Sequence, residues 1–226
     1  MNLKDRLNLI NLDILSAKKK AGLNHDVEVV GVTKTHLPSV IKNAYKNGIR
    51  TIGENRVQEA EKKFQSRDFP KETIKRFIGH LQSNKVRKCM GIFNSIDSID
   101  SLKLIRKVSN VASEKGKSFP VLLEINTSGE IQKNGFKKDN IKEILKCFEF
   151  EYAKIDGLMT IAPYTSDKST IRTCFQELRN LKEKLNNLLG EEILKELSMG
   201  MSGDYKIAVE EGSTMIRLGT LLFGKR

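Results

Sequence analysis

The sequence predicts an α/β chain folded as a parallel (β/α)8 barrel of the TIM type, preceded by an extra helix. Three observations carry this. Apolar β-rich runs alternate strictly with helical patterns, which favours parallel strands joined by right-handed crossovers. Eight such runs occur, and a chain of 226 residues falls within the usual range for a barrel. Glycines and polar side chains collect where the runs end, the edge at which barrels build their sites. An open doubly wound sheet stays as the alternative, although no Gly-x-Gly-x-x-Gly follows an early strand.

The elements follow in order. Residues 2–21 carry Leu3, Leu7, Ile10, Ile14 and Leu15 at helical spacing, an amphipathic lead-in helix. Strand candidates lie near 27–34, 49–53, 75–79, 92–96, 119–126, 153–160, 195–199 and 214–219. Helical patterns lie near 38–47, 55–65, 83–90, 99–115, 138–149, 168–189 and 203–211. The short runs at 49–53 and 195–199 have the weakest signal. No Pro-, Gly- or Ser-rich linker divides the chain, so residues 1–226 are expected to form one domain.

Composition removes several classes. With 38% hydrophobic and 30% charged residues the chain is globular. Its N-terminus lacks the apolar core of a signal peptide, and no stretch is long and apolar enough to span a membrane. Cys89, Cys147 and Cys174 are widely spaced and suggest neither a metal site nor a disulfide framework, which suits a reducing cytoplasm. The formal charge of +12 raises a nucleic-acid reading. Its lysines are spread along the chain, mostly on what read as solvent faces of helices, among them Lys18, Lys19, Lys20, Lys62, Lys63, Lys142, Lys146, Lys182 and Lys184. No aromatic-interleaved strand or helix-turn-helix accompanies them, so only weak attraction to polyanions is expected.

The strand ends carry the chemistry. The first run, Val27-Glu28-Val29-Val30-Gly31-Val32-Thr33-Lys34, closes on an ammonium at the rim, with Pro38 placed to start a helix. An amine held at such a position is available for Schiff-base chemistry. The segment alone also fits an ordinary lysine snorkelling to solvent. Later strands end in Gly53-Glu54-Asn55, Gly79-His80-Leu81-Gln82, Asn126-Thr127-Ser128-Gly129, Met159-Thr160 and Ser198-Met199-Gly200-Met201-Ser202-Gly203-Asp204. Ser202 is a candidate N-cap, and Ser202-Gly203 with Gly219-Thr220 offers backbone N–H groups and hydroxyls suited to a phosphate. The competing reading is a capped helix and a turn without ligand. Arg217 interrupts a buried strand and needs a partner, either a carboxylate on a neighbouring strand or a ligand heteroatom. Asn55 doubles as a candidate helix cap and His80 as a satisfied strand-end imidazole. Met159, Met199 and Met201 read as packing residues or the walls of a flat pocket. The run Gly219–Arg226 imitates a Walker A loop, but no Ser or Thr follows Lys225.

A rim lysine, a phosphate cup and a buried arginine together describe a pyridoxal 5′-phosphate site. Lys34 would hold the aldehyde carbon, Ser202, Gly203, Gly219 and Thr220 the phosphate, and Arg217 would face the ring nitrogen. Asn55, His80, Met159, Ser198 and Met199 complete the candidate cofactor-binding set. An arginine at the ring nitrogen cannot accept the ring's proton, so the ring would be a weak electron sink, ill suited to transamination or decarboxylation.

The same segments resemble the pyridoxal phosphate homeostasis proteins, single-domain relatives of the alanine racemase N-terminal barrel. The matching stretches are Val30–Thr35, Gly53–Ala60, Phe77–Lys85, Glu124–Glu130, Gly157–Ile161, Leu197–Asp204 and Ile216–Thr220, in order along nearly the whole chain. The resemblance implies that Lys34 carries the cofactor, with Thr33 where the family often has Ser or Ala. It implies a non-catalytic protein that buffers the cofactor or delivers it to pyridoxal phosphate-dependent apoenzymes. Racemases of the related fold add a second domain with a catalytic tyrosine. This chain ends six residues after Thr220, so that domain is expected to be absent. Of its four tyrosines Tyr164, which follows the rim of the sixth strand, is the one candidate for a stand-in acid. A monomer without membrane or specific nucleic-acid partners is expected. The alternatives are a racemase-like enzyme, an aldolase using Lys34 with Glu54 and His80, and an RNA-binding module resting on charge alone.

Overall fold

The structure, a computed structural model, describes residues 1–224. Helix α1 (Leu3–Ala21) opens with a capping box. Asn2 Oδ1 accepts from Asp5 N at 2.9 Å, and the Asp5 carboxylate accepts from Asn2 N at 3.2 Å. Gly22, at φ 67°, ends the helix in the left-handed region that glycine adopts without strain.

The strands are β1 (Glu28–Val32), β2 (Thr51–Glu54), β3 (Ile74–Phe77), β4 (Ser95–Ile99), β5 (Phe119–Asn126), β6 (Phe136–Lys137), β7 (Ala153–Met159), β8 (Glu196–Ser198) and β9 (Met215–Leu218). Eight of them run β4-β3-β2-β1-β9-β8-β7-β5, all parallel, and the β4–β5 pairing closes the barrel. The helices are α2 (Pro38–Lys46), α3 (Val57–Phe64), α4 (Val86–Ile92), α5 (Leu102–Ser113), α6 (Ile141–Leu145), α7 (Lys168–Leu189), α8 (Tyr205–Glu210) and α9 (Thr220–Phe223). Lys225 and Arg226, which complete the Walker-like run, lie outside the described residues. No helix among the described residues is long and apolar enough to cross a membrane.

Strand alternation sorts the side chains. Ile52, Ile96, Leu123, Leu158, Leu197 and Ile216 face the helices and are at most 1% exposed, so the core is the shell between barrel and helices. The inward set is polar: Arg76 Nε donates to Asp97 Oδ2 at 2.6 Å, and the Thr214 hydroxyl to Glu196 Oε2 at 2.6 Å. This explains the main departure from expectation. The fourth strand lies at Ser95–Ile99, not near 92–96, because its inward polar residues hide it from an apolar-run criterion, while Ile92 ends a helix. β6, a two-residue strand beside β5, was not anticipated, nor was α9, which follows Gly219 directly. Lys63 also departs from expectation. It is 6% exposed, because its ammonium has acceptors waiting beneath α3.

Candidate functional site

The same alternation builds the rim. Val32 and Lys34 face the barrel mouth, and Thr33 turns outward toward α3. Lys34 sits in a tight turn whose next residue, Thr35, has φ 65°, the positive φ of a non-glycine residue among those described. A β-branched residue there stores strain of about 1–3 kcal/mol and has to be held by its surroundings. Beside the turn's own bond from His36 N to the Thr33 carbonyl at 2.9 Å, three bonds to side chains hold it. The Thr33 hydroxyl donates to Glu54 Oε1 at 2.6 Å, Lys63 Nζ to the Thr33 carbonyl at 2.7 Å, and the Thr35 amide to Glu59 Oε1 at 2.5 Å.

Lys34 opens on a cavity of about 500 Å³, within the range of small-molecule sites. On one side of it stand Ser202, Gly203, Gly219 and Thr220, with the 5% exposed Arg217 also on its lining. Ser202 is not the N-cap of α8; Asp204 occupies that position, and its carboxylate turns back to accept from Met201 N at 2.5 Å. The Ser202 hydroxyl instead accepts from Leu221 N at 3.3 Å, which ties the turn after β8 to the first turn of α9. A Cβ built on Gly203 would meet nothing within 4 Å, so the space above its backbone is open.

Arg217 takes neither of the two partners the sequence offered, a neighbouring carboxylate or a ligand, as its direct bonding partner in the structure. It has neutral acceptors: Nη1 donates to the carbonyl and hydroxyl oxygens of Ser198, each at 2.7 Å, and Nη2 to the Thr160 carbonyl at 2.8 Å. Burial disfavours its charge, and Asp97, Asp204 and Glu124 offset this through space. Glu124, inward on β5, is pushed up to about 7 by burial and then by Asp100, with Arg217 and His80 pulling the other way.

The remaining candidates stand behind this cavity rather than on its wall. Ser198 grips Arg217, while Met159 and Met199 are 1% and 0% exposed, packed into the barrel. Asn55 backs Gly79, whose absent Cβ would fall 2.4 Å from the Asn55 carbonyl oxygen. His80 Nδ1 lies 3.0 Å from Asp100 Oδ2. Glu54 and His80 are not brought together, since Glu54 is bonded to Thr33 and Lys63 behind β1. The opposite wall, with Glu130, Lys133, Ile161 and Pro163, comes from loops after β5 and β7 that strand-end reasoning passed over. Only the Thr127-Ser128-Gly129 turn hinted at it. Tyr164 lines the mouth fully exposed, and no hydrogen bond among the described residues fixes its hydroxyl.

An amine, hydroxyl and amide donors, and a buried guanidinium facing one cavity form a site for a small anionic ligand on a racemase-type barrel. The family described as alanine racemase, N-terminal domain, matches residues 10–226. A pyridoxal phosphate homeostasis protein of Aquifex aeolicus is 39% identical over 229 residues, covering 100% of this chain and 99% of the relative. PipY of Synechococcus elongatus, solved without PLP, superposes with TM-score 0.88 at 33% identity, covering 99% of this chain and 100% of the other. The same protein with PLP bound gives TM-score 0.83 at 34% identity, with the same coverage. The chain belongs to the pyridoxal phosphate homeostasis protein family.

Proposed function

We propose that this protein binds pyridoxal 5′-phosphate reversibly through Lys34 and serves cofactor homeostasis without turning over a substrate. The observation that carries this is the single cavity shared by Lys34, Arg217 and the Ser202-Gly203 and Gly219-Thr220 turns. The donor set fits the cofactor. The turns supply hydroxyls and amides for the phosphate, and Arg217 reaches the cavity as a donor that cannot take a proton from the ring nitrogen. When bound, the cofactor supplies an aldehyde that a lysine amine can capture. Ser198 positions Arg217, while Met159 and Met199 support the strands beneath. Asn55 and His80 follow β2 and β3 away from the cavity wall and support the rim from there.

The name borne by the relatives, and the PLP-bound form of PipY, support the same reading. The protein acts as a cytoplasmic monomer that passes its cofactor to apoenzymes. A racemase-like role has less support, because no hydrogen bond among the described residues holds the Tyr164 hydroxyl in place as an acid. Mixing the loaded protein with an apo-aminotransferase tests delivery: activity returns in step with loss of the protein's visible absorbance. Full retention of the cofactor contradicts delivery.

A further inference from the structure

The side-chain bonds of Glu54, Glu59 and Lys63 form a closed set. Lys63 Nζ donates to Glu54 Oε1 at 2.5 Å, to Glu59 Oε1 at 3.1 Å and to the Thr33 carbonyl at 2.7 Å. Among the described residues Glu54 accepts otherwise only from the Thr33 hydroxyl, and Glu59 only from the Thr35 amide. Every bond leaving the trio therefore ends on a residue flanking Lys34.

As a device for stability the arrangement is poor. The Lys63 and Glu54 side chains are 5% and 0% exposed, and desolvating such a pair offsets most of its attraction. Glu54 Oε2 is buried without a hydrogen-bond partner, and burial pushes this carboxyl upward despite Lys63. Hydrophobic residues would fill the space beneath α3 at less cost. What the trio does supply is a fixed, strained turn: the left-handed Thr35 is bonded by its own amide to Glu59.

We infer that Glu54, Glu59 and Lys63 are positioning residues for Lys34, holding its turn so that the ε-amine meets the aldehyde of pyridoxal phosphate at bonding geometry. This rests on the tether proposed above. In that step the amine nitrogen adds to the aldehyde carbon, a C=N bond replaces C=O, and the oxygen leaves as one water with the two amine protons. No oxidant or reductant is needed. The trio touches neither reactant and acts through the backbone of residues 33–35.

The test compares capture with simple binding in the full-length apo protein. Pyridoxine 5′-phosphate lacks the aldehyde and reports on the pocket alone. Pyridoxal 5′-phosphate reports on the covalent step through the rise of its visible absorbance. The double variant Glu54→Gln/Lys63→Met removes the charges together, and Glu59→Ala, at the half-exposed end of the trio, loosens only the Thr35 side. Both variants are expected to bind pyridoxine 5′-phosphate as the unmodified protein does, while capture slows by about tenfold or more, since small misplacements of a reacting group have effects of that order. Unchanged capture rates in both variants overturn the inference. A parallel loss of both readouts also overturns it, because a merely structural role moves the two together. If the unmodified protein forms no adduct at Lys34, the tether fails instead, and the controls separate the two outcomes.

Discussion

Arg217 Nη1 lies 2.7 Å from both the carbonyl and the hydroxyl oxygen of Ser198, so one strand-end serine receives the guanidinium twice. Together with the Thr160 carbonyl, 2.8 Å from Nη2, this fixes the guanidinium through neutral acceptors, and no carboxylate bonds it directly among the described residues. Replacing Arg217 with Met takes its donors from three buried oxygens, of which the Ser198 carbonyl still accepts from Thr160 N at 3.2 Å. We expect a loss on the order of 3 kcal/mol in chemical denaturation. Arg217→Lys keeps the charge but loses the fork, and should fall between the two.

The two turns proposed to hold the phosphate make a selective prediction. Ser202→Ala and Thr220→Val remove hydroxyls from the cup and leave Lys34 in place. Each should weaken pyridoxal 5′-phosphate binding by roughly tenfold, the worth of about 1.5 kcal/mol for a bond to a charged group. Affinity for pyridoxal, which lacks the phosphate, should stay the same. Equal effects on both ligands would move the phosphate elsewhere.

Glu124 gives a pH signature. Its carboxyl rises from 4.5 to about 7 on burial, so the folded protein holds that proton more tightly than the unfolded chain. The favourable contribution is complete below pH 4.5 and is lost as pH rises through about 7. Glu124→Gln has no proton to lose. It should therefore gain stability over the parent as pH rises from 5 to 8, by at most about 3 kcal/mol. Thermal midpoints across that range check this, and a gain confined to acid pH would contradict it.

Gly79 tests how closely β3 is pressed against the turn after β2. A Cβ there falls 2.4 Å from the Asn55 carbonyl oxygen and 2.7 Å from its Cα, both backbone atoms. Gly79→Ala should destabilise the fold by about 1–3 kcal/mol, as overpacking does. Ala at Gly91, where a Cβ meets nothing within 4 Å, is the matched control.

What was legible follows from where the signal sits. The barrel and its rim residues Lys34, Ser202, Gly203, Arg217, Gly219 and Thr220 stood out because alternation and strand ends are local patterns. β4 did not, since Ser95 and Asp97 point into a polar barrel interior and break the apolar run. Lys63 looked like a solvent-facing helix lysine, and nothing local reveals that Glu54 and the Thr33 carbonyl await it. The wall formed by Glu130 and Lys133 comes from an irregular loop, which carries no periodicity to read.

The account turns on Lys34. Incubating the protein with pyridoxal 5′-phosphate, reducing with borohydride and mapping the modified peptide tests it most directly. We predict stoichiometric label on Lys34, abolished in Lys34→Met while the barrel stays folded. Label on another lysine, or undiminished label in that variant, would contradict the assignment.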